Sequence, residues 1–183
     1  MVIDKLKVII RPEIPSEYEE VNELICAAFA EQHGIELGIF MKEHFIEERK
    51  KETFIPELSL VAVLEDGKIV GEVALHETDI TTSSGKITQL VLAQSAVLPE
   101  CRMQGIMRML VEHALQKAKM LGYGAVFLGG NPKLYARYGF EPSSIYGIYH
   151  ENRDKWGDEG FMVCILKSGV LDGVTGTTSY YGG

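Results

Sequence analysis

Residues 90–107 read LVLAQSAVLPECRMQGIM, and this stretch decides the fold. An apolar run up to Leu98 predicts a strand, Pro99-Glu100 predicts a turn, and helical spacing begins at Arg102. Gly105 falls in the first turn of a helix that leaves a strand, where a ligand's phosphates can approach backbone N–H groups closely. The stretch therefore predicts a strand, a turn and a helix whose beginning is a candidate phosphate site.

The helix predicted over residues 102–121 is amphipathic. Its apolar stripe consists of Ile106, Met107, Leu110, Val111, Ala114, Ala118 and Leu121. The opposite face carries Arg108, Glu112, Gln116 and Lys119, and Gly122 follows as a C-cap. A second segment, residues 125–140, reads AVFLGGNPKLYARYGF and predicts another apolar strand, after which Tyr135 offers a phenolic proton.

The first sixty residues predict one strand and two helices. A strand is expected over Leu6–Arg11, followed by Ser16 as an N-cap with Glu19 completing a capping box. From Tyr18 the apolar positions have helical spacing. Residues 32–38 hold two glycines and predict a loop, and a second short helix is expected over residues 40–48.

Later segments predict antiparallel neighbours. Two β-rich runs, 58–63 and 69–75, flank Asp66-Gly67, which is a strong hairpin signal. Residues 145–149 and 161–167 predict a closing pair of strands. Helices alternate with these strands, so we expect an α+β fold in which helices flank a mixed, mainly antiparallel sheet.

Composition limits the function classes. A chain of 183 residues, 46% hydrophobic, predicts one domain over 1–183 with a substantial core. The formal net charge of −8 disfavours nucleic acid as partner and weakly favours a cationic amine. Cys26, Cys101 and Cys164 form no C-x-x-C pair, which is typical of a reducing compartment. No membrane-length apolar run, signal peptide or metal-ligand spacing occurs, so we expect a cytoplasmic protein without a metal.

Two segments resemble the GNAT superfamily of N-acetyltransferases. The superfamily's phosphate-binding signature is matched by Arg102 and Gly105, whereas Met107 stands where a glycine or alanine is usual. A tyrosine, three residues and Gly-Phe are matched from Tyr135 to Phe140. This resemblance implies the acyl-CoA N-acyltransferase fold, in which the fourth and fifth strands splay to admit the pantetheine arm. Residues 171–177 also resemble the ending of a bacterial branch of predicted N-acetyltransferases.

The resemblance also implies a site for acetyl-CoA as co-substrate. A backbone N–H near Val97 would polarise the thioester oxygen, and Tyr135 would protonate the departing thiolate. The remaining residues expected to contact the coenzyme are Arg102, Met103, Gln104, Gly105, Ile106, Met107, Arg108 and Asn131. Met103 occupies a position where many relatives carry glycine, and Tyr138 is expected to fill the core.

The proton acceptor for the attacking amine is left open. The predicted fourth strand contains no carboxylate, and its Gln94 and Ser95 would only orient a water. The other candidates are Glu72, His76, Glu77, His33 and Glu36. A catalytic Cys101, at the start of a helix, is a weaker alternative, and His44 is expected to pack rather than to act as a ligand.

Two functions are therefore carried forward. The first is an acetyl-CoA-dependent N-acetyltransferase that moves an acetyl group to a primary amine by direct attack in a ternary complex. The second is a catalytically degenerate CoA-binding sensor or interaction module. A small-molecule amine is preferred to a protein as acceptor, with residues 30–50 forming part of its pocket, and a homodimer is possible.

Overall fold

The protein, represented by a computed structural model, is described over residues 7–179. Its nine strands are β1 (Val8–Pro12), β2 (Phe54–Leu64), β3 (Ile69–Thr82), β4 (Gly85–Val97), β5 (Ala125–Gly129), β6 (Glu141–Pro142), β7 (Ile148–His150), β8 (Phe161–Ile165) and β9 (Gly176–Thr178). Its helices are α1 (Tyr18–His33), α2 (Ile35–Glu48), α3 (Ile106–Met120), α4 (Pro132–Tyr135) and α5 (Arg153–Gly160). Among these described residues, none of the helices is both long and apolar enough to cross a membrane.

The sheet has the strand order β1-β2-β3-β4-β5-β8-β6. Pairing is antiparallel between β1 and β2, between β5 and β8 and between β6 and β8, and parallel between β4 and β5. The expectation of a mixed, mainly antiparallel sheet is thus confirmed. The parallel ladder joins Leu90 with Val126 and Val91 with Phe127, after which β4 continues to Val97. So short a ladder is what a splayed pair of strands produces.

Two compact units are distinguished by their internal contacts. The first unit comprises the chain up to Ala74 together with Gln94–Ala114, and the second comprises Leu75–Ala93 together with the chain from Leu115 onward. The first packs its core between α1, α2 and the sheet, around Val21, Leu24, Ile25, Phe45, Val61, Ala74 and Ala96. The second packs Ile80, Val91, Phe127, Ile148, Phe161 and Val163 together.

The Asp-Gly hairpin is confirmed. Gly67 adopts a φ of 89°, and the N–H of Leu64 donates to the carbonyl of Lys68 at 2.9 Å. Asp66 stabilises the turn by accepting from the Lys68 N–H at 3.0 Å. This turn chemistry is local, which explains why the sequence predicted it.

Two expectations near the N-terminus were wrong. A 3₁₀ turn, Pro15–Glu17, replaces the capping box of Ser16 and Glu19, and the Glu17 carboxylate accepts from the Ile14 N–H at 3.1 Å. The loop expected over residues 32–38 is reduced to Gly34, whose φ of 94° ends α1 immediately before α2. Gly38 lies within α2 because the helices approach so closely that a Cβ there would lie 2.5 Å from the Cys26 carbonyl oxygen. The first residue of the expected first strand, Leu6, lies outside the described residues.

The expected closing pair of strands was also wrong. Phe161–Ile165 pairs with β5 and β6, whereas Ile148–His150 pairs in parallel with β9. The sequence contains strand-forming residues at both places, but strand partners separated by many residues are chosen by tertiary packing. The short strand β9 is an element that the sequence did not predict.

The helix after the signature begins later than predicted. A 3₁₀ turn covers Pro99–Cys101, residues 102–105 form an irregular turn, and α3 begins at Ile106. Of the predicted stripe, Ile106, Leu110, Val111, Ala114 and Ala118 are buried. Met107 is half-buried and Leu121 is 44% exposed, because the helix ends before Leu121 and the chain turns at Gly122.

Candidate active site

The turn between β4 and α3 is the centre of the predicted coenzyme site. Met103 and Gly105 both have positive φ values, 62° and 82°. Alternation of left-handed and right-handed residues directs successive N–H groups into one concavity, which is a geometry that binds anions. That the turn between β4 and α3 binds a phosphate group in this way stays a prediction.

The N–H groups of this turn have no protein acceptors. Within residues 7–179, the N–H groups of Gln104, Gly105, Ile106 and Met107 donate to no oxygen atom. The following turn of the helix is satisfied, since Met109 N–H donates to the Gly105 carbonyl at 3.1 Å. Unpaired donors at the positive end of a helix are suited to a phosphate ligand. A Cβ on Gly105 would meet no protein atom within 4 Å, so the space above it is open.

Arg102 is held by the protein itself. Its guanidinium donates to the carbonyl of Ala28 at 2.8 Å and to that of Val97 at 3.3 Å, and it forms an ion pair with Glu31. These contacts fasten the turn to α1. Sequence reasoning missed Glu31, because one acidic residue on an exposed helix face gives no signal of a distant partner. Contact between Arg102 and the coenzyme stays a prediction.

The two methionines of the signature differ in their surroundings. Met103 is fully exposed, so its side chain does not contribute to the core. Met107 is half-buried on α3. The side chain of Ile106 is buried, which leaves its backbone N–H as the group available to a ligand.

Tyr135 and Asn131 lie in the second unit. Asn131 caps α4, since its side-chain oxygen accepts from the Lys133 N–H at 3.0 Å. Tyr135 is the last residue of that helix and is half-buried, with its ring centroid 5.9 Å from that of Phe140 and 6.2 Å from that of Tyr138. Gly130 makes room for the tyrosine, because a Cβ there would lie 2.6 Å from its ring. Tyr138 is also only half-buried, so it does not fill the core as expected.

Burial separates the candidates for the proton acceptor. Glu72 and Gln94 are 1% and 3% exposed, whereas His33 and Glu36 are on the surface. Glu77 accepts a hydrogen bond from the Tyr123 hydroxyl at 2.5 Å, and burial together with this bond raises the pKa of Tyr123 to about 12. Glu77 is thus committed to a structural contact.

The alternatives based on Cys101 and His44 lose support. Burial and the neighbouring Glu100 carboxylate raise the pKa of the Cys101 thiol, which is the opposite of what a nucleophilic cysteine requires. His44 stacks on Phe40 and lies 3.5 Å from the Glu48 carboxylate, so it packs as expected.

A buried polar cluster lies under α1 and α2, and sequence reasoning missed it. Arg49 donates to both carboxylate oxygens of Glu13 at 2.9 and 2.8 Å, and to Asn22 at 2.5 Å. Ser59 donates to Glu13 at 2.7 Å. In the sequence these charged residues resemble ordinary surface positions, and only the fold brings them together.

Comparison with known proteins identifies the family. The model of the acetyltransferase (GNAT) domain matches residues 10–143. The chain belongs to the GNAT family. Among curated relatives of this GNAT acetyltransferase is the uncharacterized N-acetyltransferase YhbS of Escherichia coli K12, 31% identical over 176 residues that cover 94% of this chain and 96% of YhbS. The N-acetyltransferase YjhQ of the same strain is 32% identical over 108 residues, covering 55% of this chain and 59% of YjhQ.

Solved structures agree with this assignment. The crystal structure of E. coli YhbS in complex with CoA superimposes with a TM-score of 0.80 and 26% identity, covering 97% of this chain and 92% of YhbS. A GNAT acetyltransferase from Brucella melitensis in complex with acetyl-CoA gives a TM-score of 0.62 at 23% identity, covering 74% of this chain and 83% of that one, and shows likeness of fold. The expected GNAT fold is therefore confirmed.

Proposed function

We propose that this GNAT acetyltransferase uses acetyl-CoA as co-substrate and transfers the acetyl group to a primary amine by direct attack in a ternary complex. The observation that carries the proposal is the turn before α3, where four consecutive N–H groups lack acceptors among residues 7–179, beside an open glycine. A pyrophosphate supplies the acceptors that such donors need. The complex of YhbS with CoA supports the same assignment.

The chemistry assigns one proton donor and one oxygen-binding group. The amine nitrogen forms a bond to the thioester carbonyl carbon, and the carbon–sulfur bond breaks as the tetrahedral intermediate collapses. The nitrogen loses one proton as it becomes an amide, which balances the proton that the departing thiolate gains. The Tyr135 hydroxyl protonates the departing thiolate, and the backbone N–H near Val97 polarises the carbonyl oxygen. Both roles follow from the resemblance of the motifs, supported for Tyr135 by its half-buried position at the end of α4.

The acceptor proposed is a small-molecule amine rather than a protein. A net charge of −8 attracts cationic amines weakly over long distances. We further propose a single domain over residues 1–183, since β3, β4 and α3 run through both units. A cytoplasmic location is supported by three free thiols, and a homodimer by the resemblance alone.

Calorimetric titration with acetyl-CoA tests coenzyme binding directly. One saturable site per chain is expected, followed by release of free thiol when an amine acceptor from a panel is added. Gly105→Ala should weaken binding tenfold or more, because a Cβ enters the phosphate site and the φ of 82° becomes strained. Gly67→Ala is the matched control, with a φ of 89° and equally open space in the hairpin between β2 and β3. Equal losses in both variants would reject the turn as the coenzyme site.

A Tyr135→Phe variant tests catalysis. Removal of the hydroxyl should lower kcat about 10²-fold or more while leaving the Kd for acetyl-CoA unchanged, since the lost interaction is made in the transition state. Tyr138→Phe removes a hydroxyl from the neighbouring half-buried ring and should leave kcat unchanged. Similar losses in both variants would point to damaged packing and not to proton donation.

The second candidate is a CoA-binding sensor or interaction module without turnover. It is favoured by the absence of a carboxylate from β4 and by the methionine at position 107. Saturable binding of acetyl-CoA with no thiol release for any amine would establish it.

A further inference from the structure

Two consecutive glycines lie at the end of β5, and an aromatic ring occupies the space of the side chain that each one lacks. A Cβ on Gly129 would lie 2.3 Å from the indole of Trp156. A Cβ on Gly130 would lie 2.6 Å from the ring of Tyr135. Any side chain at either position would force a ring away, so both rings lie directly against the backbone.

The two rings lie on opposite sides of this backbone. Gly129 is paired with the first residue of β8, and the N–H of Gly130 donates to the Gly160 carbonyl at 2.9 Å. The antiparallel pairing therefore continues one residue beyond β5. Successive residues of a strand direct their Cβ positions to opposite faces, so Trp156 lies on one face of the segment and Tyr135 on the other.

Trp156 is held in place by its own surroundings. It packs against the core of the second unit, and the Lys155 ammonium lies 5.3 Å from the centroid of its ring. Gly157 follows with a φ of 67° and a ψ of −179°, which interrupts α5 directly after the tryptophan. The end of α5 is then hydrogen-bonded to the sheet through the Gly160 carbonyl. The indole therefore belongs to a segment that is fastened to the end of β5.

The indole carries a polar atom that has no hydrogen bond. Its Nε1 is buried and donates to no acceptor among residues 7–179. Buried tryptophan N–H groups usually have an acceptor, and one without it lowers stability. A phenylalanine or a leucine would bring apolar surface to Gly129 without that cost. Stability alone therefore does not account for a tryptophan at position 156.

Tyr135 is related to the sheet by its contact with Gly130. The tyrosine ring is half-buried, and its centroid lies 6.2 Å from that of Tyr138 and 5.9 Å from that of Phe140. Both of these neighbours lie within five residues of Tyr135 in the chain. The backbone of Gly130 joins the ring directly to the end of β5, so a shift of this backbone would move the phenol.

We propose that Trp156 is a positioning residue for the Tyr135 hydroxyl and acts through the backbone of Gly129 and Gly130. This inference rests on the proposed acetyl transfer with Tyr135 as the proton donor. The indole prevents the end of β5 from moving away from the phenol, so the hydroxyl stays within hydrogen-bond distance of the departing thiolate. Trp156 itself exchanges no proton. A misplacement of about 1 Å can lower an enzymatic rate about 10²-fold.

A double-mutant cycle tests this role. Trp156→Leu should lower kcat about tenfold or more and leave the Kd for acetyl-CoA unchanged. In a Tyr135→Phe background the same substitution should change kcat by less than about twofold, because the hydroxyl that Trp156 positions is already absent. Trp156→Phe should restore most of the rate, since an aromatic ring again covers Gly129.

Gly129→Ala disturbs the same contact without removing the tryptophan. The new Cβ displaces the indole, so kcat should fall about tenfold or more. Trp156 fluorescence should also become more sensitive to quenching by acrylamide. Gly124→Ala is the matched control immediately before β5, where a Cβ would lie 2.3 Å from the Val170 side chain. It should crowd the protein to a similar extent but leave both kcat and the quenching close to those of the parent.

The possible results separate this inference from the proposed function. An equal fold loss of kcat from Trp156→Leu in the parent and in Tyr135→Phe overturns the positioning role, because a merely structural residue lowers the rate with or without the hydroxyl. A normal kcat in Gly129→Ala with a displaced indole overturns it as well. Both results leave acetyl transfer by the parent intact. If the parent released no free thiol with any amine, the proposed function itself would be rejected.

Discussion

Met103 holds a backbone conformation that residues with side chains rarely adopt, with a φ of 62° in a fully exposed position. Its side chain adds no burial that offsets this strain. If the turn binds the coenzyme as proposed, the N–H groups that follow Met103 explain why the conformation is retained. We infer that the proposed phosphate site is kept at a small cost in stability.

Met103→Gly should therefore leave stability unchanged or slightly raised, because relief of strain offsets the greater entropy of the unfolded chain. Met120→Gly removes another exposed methionine, from the end of α3, and should cost roughly 0.5–1 kcal/mol. Urea unfolding of both variants measures the difference. A larger loss for Met103→Gly than for Met120→Gly would contradict the strained turn.

Glu72 should impose a pH dependence on stability. Its pKa in the folded state is raised by burial, whereas in the unfolded chain a glutamate titrates at about 4.3. Its favourable contribution is complete below that pH and is lost as pH rises through the folded-state pKa. The free energy of unfolding of Glu72→Gln relative to the parent should thus increase with pH above about 4.3. If the free energies of unfolding of the parent and of Glu72→Gln change with pH in parallel, burial does not raise the pKa of Glu72.

At the scale of the secondary-structure elements, the contact between α1 and the turn before α3 is made by one side chain. Arg102 joins them through the Ala28 carbonyl and Glu31, and it also satisfies the Val97 carbonyl at the end of β4. A guanidinium with three acceptors sets the position of the turn more firmly than the exposed ion pair alone. The proposed coenzyme site therefore depends on a helix that is distant from it in the sequence.

Arg102→Ala should lower stability by roughly 1–3 kcal/mol, since it leaves partly buried carbonyl groups without donors. Glu31→Ala removes only the exposed ion pair and should cost about 0–1 kcal/mol. Chemical denaturation compares the two, and calorimetry with acetyl-CoA should show weaker binding in Arg102→Ala. Normal affinity for acetyl-CoA in Arg102→Ala would show that coenzyme binding does not require the contact of the turn with α1.

At the scale of the whole molecule, two strands and one helix contribute residues to both units. β3, β4 and α3 each begin in one unit and end in the other. If one unit unfolds, these shared elements lose part of their structure, which disturbs the other unit as well. We therefore expect the two units to unfold in one cooperative transition.

Trp156 makes this expectation measurable, because it is the only tryptophan of the chain and packs against the core of the second unit. Its fluorescence and the far-ultraviolet circular dichroism should give coincident unfolding curves. Arg49→Ala, which breaks the buried cluster of the first unit, should shift both curves equally. A shift confined to the circular dichroism would show that the units unfold separately.

Most of the fold could be predicted from the sequence, and the position of the coenzyme site stays a prediction. Local signals identified the Asp66-Gly67 hairpin, the strand–turn–helix of residues 90–120 and the apolar face of α3, since each depends on residues close together in the chain. Element ends were less accurate: Gly34 alone replaced an expected loop, because close packing of α1 against α2 overrides the loop propensity of two glycines.

By itself the sequence determined the family and the sheet class and indicated the turn proposed to bind the coenzyme, because these depend on spacing within short segments. Only the tertiary structure decided which strands pair with β5 and β7, which acceptors hold Arg102, and that Glu72 is buried without a hydrogen-bond partner among the described residues. Such contacts join residues far apart in the chain, and a charged residue reads the same in a sequence whether it faces water or the core. Burial and partner choice are properties of packing, and packing is absent from the one-dimensional pattern.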